Sequence, residues 1–236
     1  MRVKVSLSAD EPFKISFNHQ YYLASAIYNI VKEGNPNFAE KLHKIRDFKF
    51  YTFSTLKLPR RVIYKDYLES YDGKAYFYVS SPNKEFIECF VNGLFEKGRI
   101  RVGNIIFHIE RISLLESPKE FKILKTLSPI YLKTKVEEDG RLKTKDLLPT
   151  HSKFYENLKK NLKRKYEKYF NKECNLDFDF EILKFKPKRV KIKGGYLTCS
   201  DLVFKVWGDY ELIKFGYDCG FGEKNSLGFG MVEVSK

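Results

Sequence analysis

The stretch Asp72-Gly73-Lys74-Ala75-Tyr76-Phe77-Tyr78-Val79-Ser80, with residues 83–97 behind it, decides the fold. Asp-Gly is a preferred centre for a two-residue hairpin turn, because both positions then need positive φ. It leads into a strand over 74–80. Within 83–97, Phe86, Ile87, Phe90, Val91 and Leu94 recur at helical spacing, which predicts a helix with one buried face. Strands follow at 99–102 and 104–115. Upstream, residues 2–7 read as a strand, and Asn18 is a suitable N-cap for a helix running to about residue 32, stopped by Gly34 and Pro36. Its expected apolar stripe is Tyr22, Leu23, Ala26, Ile27, Ile30 and Val31, with Tyr21, Ser25, Tyr28 and Lys32 on another face. A second short helix covers about 36–44, and strands are expected over 47–56 and 61–68. The first half is therefore β-α-β-β-α-β in outline, the ferredoxin-like pattern shared by RNA-recognition domains.

Ser117-Pro118 marks the expected boundary. The second half opens with strands around 121–136 and a polar turn at Glu137-Glu-Asp-Gly140. A long helix over 152–170 carries an apolar stripe of Phe154, Leu158, Leu162, Tyr166 and Tyr169. A strand over 178–185, the basic segment 186–193, a Gly194-Gly195 turn, a strand over 196–206, a short helix from about Asp209 and a last strand at 229–234 complete the order. The expected fold is α+β: two tandem ferredoxin-like domains, residues 1–117 and 118–236, each βαββαβ, with a C-terminal glycine-rich loop.

The 236 residues carry 44 Lys and Arg against 30 Asp and Glu, a net charge of +14. That excess favours a polyanionic partner, since each neutralised phosphate releases counterions. With 16 Tyr and 21 Phe, the chain has rings on which unpaired bases can stack, which points to RNA or single-stranded DNA. No apolar run approaches a membrane span, and the N-terminus lacks a signal-peptide core, so a cytoplasmic protein with no membrane partner is expected. Cys89, Cys174, Cys199 and Cys219 are scattered without a close pair, which suits neither a disulfide framework nor a zinc site. His19, His43, His108 and His151 are far apart, so no metal site and no cofactor is expected.

Near the end lies Gly216-Tyr-Asp-Cys-Gly-Phe-Gly-Glu-Lys-Asn-Ser-Leu-Gly-Phe-Gly230. Glycine so dense shapes a loop whose free N–H groups can form an anion-binding nest. Lys224, Asn225 and Ser226 at its centre suit phosphate and sugar; a packing turn between helix and strand is the alternative. No Gly-x-x-x-x-Gly-Lys-Ser/Thr pattern is present, so the loop is not a nucleoside-triphosphate P-loop. Two basic runs invite the same partner. Six of residues 159–168 are Lys or Arg, a pattern that most often marks the solvated face of a helix. Lys186, Lys188, Arg189, Lys191 and Lys193 place cations along one edge, and Pro187 marks an edge or bulge.

Without clustered carboxylates, RNA cleavage would proceed by attack of the substrate's own 2′-hydroxyl, with a base, an acid and a cation to hold phosphorane charge. Tyr28, His43 and Lys49 supply those three types, although each also suits an ordinary surface or structural position.

The ending, together with Asn18-His-Gln-Tyr-Tyr-Leu…Ile27-Tyr-Asn29, Asn35-Pro36…Leu42-His43, Asn92-Gly-Leu94, Thr126-Leu-Ser-Pro-Ile130 and Lys186-Pro-Lys-Arg189, resembles the CRISPR-associated endoribonucleases of the sixth Cas family, archaeal branch. The resemblance spans almost the whole chain. It implies metal-independent cleavage of precursor crRNA within its repeats, leaving 2′,3′-cyclic phosphate and 5′-hydroxyl ends. By the same resemblance Tyr28 is the general base, His43 the general acid and Lys49 the stabilising cation, with Lys44 and Arg46 as rivals to Lys49. It places the 5′ part of a single-stranded or weakly structured repeat in a basic cleft between the domains, beside the 186–193 cations and the loop. It also implies an interference ribonucleoprotein as a further partner, with a monomer or homodimer equally open. Some members bind the repeat without cutting it, so a non-catalytic repeat-binding protein is the competing expectation. A basic interaction subunit of a ribonucleoprotein is the third.

Overall fold

The computed structural model describes residues 1–138 and 140–235. Two compact units form, Met1–Ser117 with Ser226–Gly228, and Pro118–Asn225 with Phe229–Lys236. The tip of the glycine-rich loop thus falls in the first unit, not in the second with its flanks.

The first unit runs β1 (Arg2–Ser8), β2 (Phe13–Ser16), α1 (Gln20–Gly34), α2 (Pro36–Lys44), β3 (Thr52–Phe53), β4 (Arg61–Ile63), β5 (Tyr67–Ser70), β6 (Lys74–Ser80), α3 (Lys84–Lys97), β7 (Arg99–Val102) and β8 (Ile105–Leu115). Its main sheet has the order β3-β6-β1-β8-β7, with β1 antiparallel to both β6 and β8. Strand periodicity puts Val3, Val5 and Leu7 of β1 and Ala75, Phe77 and Val79 of β6 on the face that α1 and α3 cover. Each fully buried large side chain there contributes roughly 1.5–3 kcal/mol. A separate three-stranded sheet, β2-β5-β4, holds the segment between the helices and the hairpin.

Four expectations need correction in this unit. Asn18 does not cap α1. His19 takes that place, because its ring is tied at Nδ1 to the Ser16 carbonyl (2.8 Å) and at Nε2 accepts from the Leu56 N–H (2.9 Å). Tyr22 leaves the apolar stripe and is 54% exposed, whereas Leu23, Ala26, Ile27, Ile30 and Val31 are buried. The strand expected over 47–56 shrinks to Thr52–Phe53, since Phe50 adopts φ +52° and breaks the extended run before it. Residues 61–68 are not one strand, because the chain reverses between β4 and β5, which pair with each other.

The helices α1 and α3 cross where neither has a side chain. A Cβ on Gly93 would land on the Ile30 carbonyl oxygen, and one on Gly34 on the Cys89 carbonyl oxygen. Alanine is the better helix former by ~1 kcal/mol, yet Gly93→Ala is expected to lower stability by a net ~1–3 kcal/mol through overpacking. A denaturant titration with unchanged slope and an unmoved midpoint would contradict that reading.

The second unit runs β9 (Ile123–Thr126), β10 (Lys133–Glu138), β11 (Arg141–Asp146), α4 (Lys153–Phe170), β12 (Phe178–Ile192), β13 (Gly195–Gly208), α5 (Tyr210–Cys219) and β14 (Val232–Val234). Its sheet has the order β12-β13-β9-β14. The first and third strands of the βαββαβ order are neighbours at the centre, as in the first unit, and β10-β11 is an inserted hairpin. Asp139 of the expected polar turn lies outside the described residues; Glu138 pairs with Arg141. The basic segment is not separate from the strand before it, since β12 continues to Ile192. Pro187 is tolerated because β12 is an edge strand. Among the described residues, no helix is long and apolar enough to cross a membrane.

Candidate RNA-cleavage site and glycine-rich loop

Tyr28 projects from the middle of α1, and His43 from the last turn of α2. Asn35 sets the angle between the two helices. It closes α1 by donating its N–H to the Val31 carbonyl (3.0 Å) and opens α2 by accepting from the Phe38 N–H (3.0 Å), with Pro36 in the first turn. The two rings come to 5.6 Å between centroids at 54°. Tyr28 is half-buried and His43 exposed, so both have a solvent-facing side. Lys49 is half-buried beyond α2, and burial lowers the pKa of its ammonium. Lys44, its rival, is exposed and paired with Glu40 at 2.7 Å.

Behind Tyr28 the first unit grips the tip of the glycine-rich loop. Tyr51 stacks on Phe86 (4.3 Å, 19°), and its hydroxyl lies 3.4 Å from the Ser226 carbonyl. Burial pushes the Tyr51 phenol well above its usual range, the Ser226 contact partly offsets this, and the nearby Tyr28 phenol pushes it further up. The buried Gln20 side chain donates to the Gly228 carbonyl, and Gly228 lies flat on Phe53, leaving no space for a Cβ.

The flanks of the loop are held in the second unit by a buried lysine. Lys165 on α4 is 1% exposed, and its ammonium donates to the Gly220 carbonyl (2.6 Å) and to Asn225 Oδ1 (2.9 Å). The Asn225 amide in turn donates to the carbonyls of Phe221 (3.1 Å) and Phe229 (3.0 Å). Desolvation lowers the Lys165 pKa, and neighbouring Cys219 and Glu223 oppose that. At Gly230, φ is +77° and a Cβ would overlap the Phe221 carbonyl oxygen. Lys224 is the exposed cation of the loop, 5.8 Å above the Tyr131 ring.

On β12, alternation divides the expected basic edge between two faces. Lys186 and Lys188 share the side of buried Val190, with Lys188 3.6 Å from Asp201. Arg189 and Lys191 lie on the other side over the exposed Tyr196 ring, at 4.7 and 6.0 Å. Lys193 stands in the turn with φ +53°. Among the described residues, no three His, Cys, Asp or Glu side chains gather, and all four cysteines are buried as free thiols.

Two family profiles cover nearly the whole chain: "CRISPR-associated protein Cas6, N-terminal" matches residues 14–113, and "CRISPR associated protein Cas6, C-terminal" matches residues 114–234. The chain belongs to the Cas6 family. It is 60% identical over 233 residues to a CRISPR-associated endoribonuclease Cas6 of Methanocaldococcus jannaschii, spanning 98% of this chain and 92% of that one. To the Cas6 endoribonuclease of Pyrococcus furiosus it is 40% identical, over 95% and 85% of the two chains. A solved structure of a CRISPR-associated protein Cas6 superposes with a TM-score of 0.92 at 59% identity, over 100% and 99% of the chains. The ferredoxin-like Cas6 fold is therefore that of the whole chain.

Within this Cas6 fold, the Tyr28 and His43 rings lie side by side. One other expectation changes. Asn225 has its amide and its carbonyl oxygen engaged by the loop itself, so it shapes the loop and is not a free RNA ligand. The 159–168 run is largely a paired, solvated face: Lys159 and Lys163 reach Asp177 (3.8 and 3.2 Å), and Lys160 pairs with Glu156. Lys165 is the exception. Leu158, Leu162, Lys165 and Tyr169 follow steps of four, three and four, so the helical wheel placed Lys165 in the apolar stripe all along. Gln20, Tyr51 and Tyr196 carried no comparable signal, because their partners lie far away in sequence or across a strand.

Proposed function

We propose that this Cas6-family protein is a metal-independent endoribonuclease that binds CRISPR repeat RNA and cuts precursor crRNA. The observation that carries the reading is the pairing of Tyr28 with His43 at the junction of α1 and α2. The 2′-oxygen of the scissile nucleotide forms a bond to phosphorus as Tyr28, acting as its phenolate, accepts the 2′-hydroxyl proton. The P–O5′ bond breaks as the His43 imidazolium donates a proton to the departing oxygen. The products are a 2′,3′-cyclic phosphate and a 5′-hydroxyl. Lys49, with its ammonium already partly stripped of water, opposes the charge that builds on the phosphorane oxygens, where a desolvated cation acts most strongly. Residues 1–117 form the catalytic domain in this reading. Lys186, Lys188, Arg189, Lys191, Lys193, Lys224 and Ser226 face the repeat, Tyr196 offers a stacking surface between Arg189 and Lys191, and the reaction takes place in the cytoplasm.

The test is cleavage of a radiolabelled repeat RNA in excess EDTA, beside the same RNA with a 2′-deoxy nucleotide at the scissile position. Cutting that survives EDTA and stops with the 2′-deoxy substrate is the expected result. Tight binding without cutting would make the protein a non-catalytic repeat binder, and cutting only with added metal would overturn the active-site assignment.

A further inference from the structure

Tyr22 was expected in the buried stripe of α1 and is instead exposed on the wall of a cavity. This cavity, about 420 Å³, lies among the end of β2, the first half of α1 and the turn between β7 and β8. Its volume lies within the usual range for a small-molecule site, ~300–1,000 Å³. Lys14, Tyr22, Ser25, Asn29, Arg101 and Asn104 supply its polar and aromatic lining, and no carboxylate lines it. The Arg101 guanidinium is anchored through Nε to the Gly103 carbonyl (3.1 Å), and its terminal amino groups have no other partner among the described residues. Lys14 lies 3.8 Å from Glu69 and keeps an exposed side chain, so Arg101 supplies the cavity's unpaired positive charge.

The cavity wall and Tyr28 share helix α1. Ser25 lies one turn before Tyr28 on α1, and Asn29 directly follows it. The Tyr22 ring stands edge-on to Tyr21 at 6.3 Å, and Tyr21 shares the Tyr28 face. Asn29 also lines a second cavity of about 370 Å³ with Lys32, Glu33 and Lys97, the last two paired at 3.4 Å. Polar groups therefore continue along α1 past the Tyr28 position.

We propose that the Tyr22–Arg101 cavity is a nucleotide subsite of the single-stranded RNA substrate, next to the scissile phosphate. One base stacks on Tyr22, its phosphate lies between Arg101 and Lys14, and Asn29, Ser25 and Asn104 hydrogen-bond to sugar and base edge. The assignment rests on the function proposed above for the identity of the ligand and for the place of the scissile phosphate. Charge and chemistry favour this occupant: an anion-compatible, acid-free cavity with one exposed ring suits a nucleotide, and a ring face accepts any base.

The test is filter binding of radiolabelled single-stranded CRISPR repeat RNA to wild type, Tyr22→Ala and Arg101→Ala. It is repeated with a set of repeats carrying one abasic nucleotide at each position in turn. Both side chains are exposed, and unchanged melting curves will verify that the variants fold. Tyr22→Ala should weaken binding by on the order of 10-fold, within the range of one base–ring stack. At one abasic position beside the cleavage point the wild type should lose the same factor and Tyr22→Ala should lose nothing more. Arg101→Ala should reduce the slope of log affinity against log salt by ~0.7, one phosphate contact on a single strand. Wild-type affinity of Tyr22→Ala, or a Tyr22 effect equal at every abasic position, would overturn the subsite. A wild-type protein that binds but never cuts would remove the nuclease reading and leave the subsite result intact. Rapid cutting without any Tyr22 dependence would do the reverse.

Discussion

His43→Ala should slow single-turnover cleavage of a repeat RNA by ~10²–10⁴-fold, the usual contribution of a positioned general acid. Repeat affinity should stay close to that of the wild type. The separation follows from where His43 stands. Its ring is exposed at the end of α2 and touches the Tyr28 ring, so its removal leaves no cavity and should change folding by no more than ~0.5 kcal/mol. The departing 5′-oxygen, however, loses its proton donor. Tyr28→Phe keeps the ring contact and removes only the hydroxyl, so a comparable loss there would assign the effect to proton transfer and not to packing. The double variant should be little worse than either single one, since residues that act as a unit lose their effect together. Rates and affinities that fall in parallel for His43→Ala would move His43 from chemistry to binding and end the acid assignment.

Lys165→Ala should cost on the order of 2–6 kcal/mol of stability, since two buried acceptors are stranded at ~1–3 kcal/mol each. Two charge-assisted hydrogen bonds disappear, and the Gly220 carbonyl and Asn225 Oδ1 are left facing an apolar gap. Lys165→Met refills most of the volume and should cost less, with each stranded acceptor still worth ~1–3 kcal/mol. The acidity of the buried ammonium adds a signature that packing alone would not produce. The folded state holds this proton less tightly than the unfolded chain. This residue's contribution therefore improves as pH rises from its lowered folded pKa towards the unfolded lysine value near ~10.4, and the methionine variant should lack that rise. Urea titrations at neutral and alkaline pH read both effects. A methionine variant as stable as the wild type at both would mean that the loop does not depend on the ammonium.

Much of this protein was legible in its sequence, because the relevant physics is local. Helical spacing along residues 83–97 and the Asp72-Gly73 turn specified α3 and β6 to within a residue. Asn35-Pro36 specified the start of α2, and the order of elements specified two βαββαβ halves. Tyr28 and His43 were singled out by the family resemblance, because the spacing of each alone suits an ordinary surface residue as well. Wherever the deciding partner was distant in the chain, periodicity or charge taken alone misled. Tyr22 has the spacing of a core residue, but it lies where the β7–β8 turn leaves a cavity open, and so it remains exposed. Lys165 has the charge of a surface residue, but Gly220 and Asn225 bring two oxygens to its stripe, so it is buried. The sequence by itself determined which segments become helix and strand and which faces turn inward. Only the tertiary structure decided which polar side chains find partners, because that depends on hydrogen bonds and cavities formed by residues that meet only once the chain has folded.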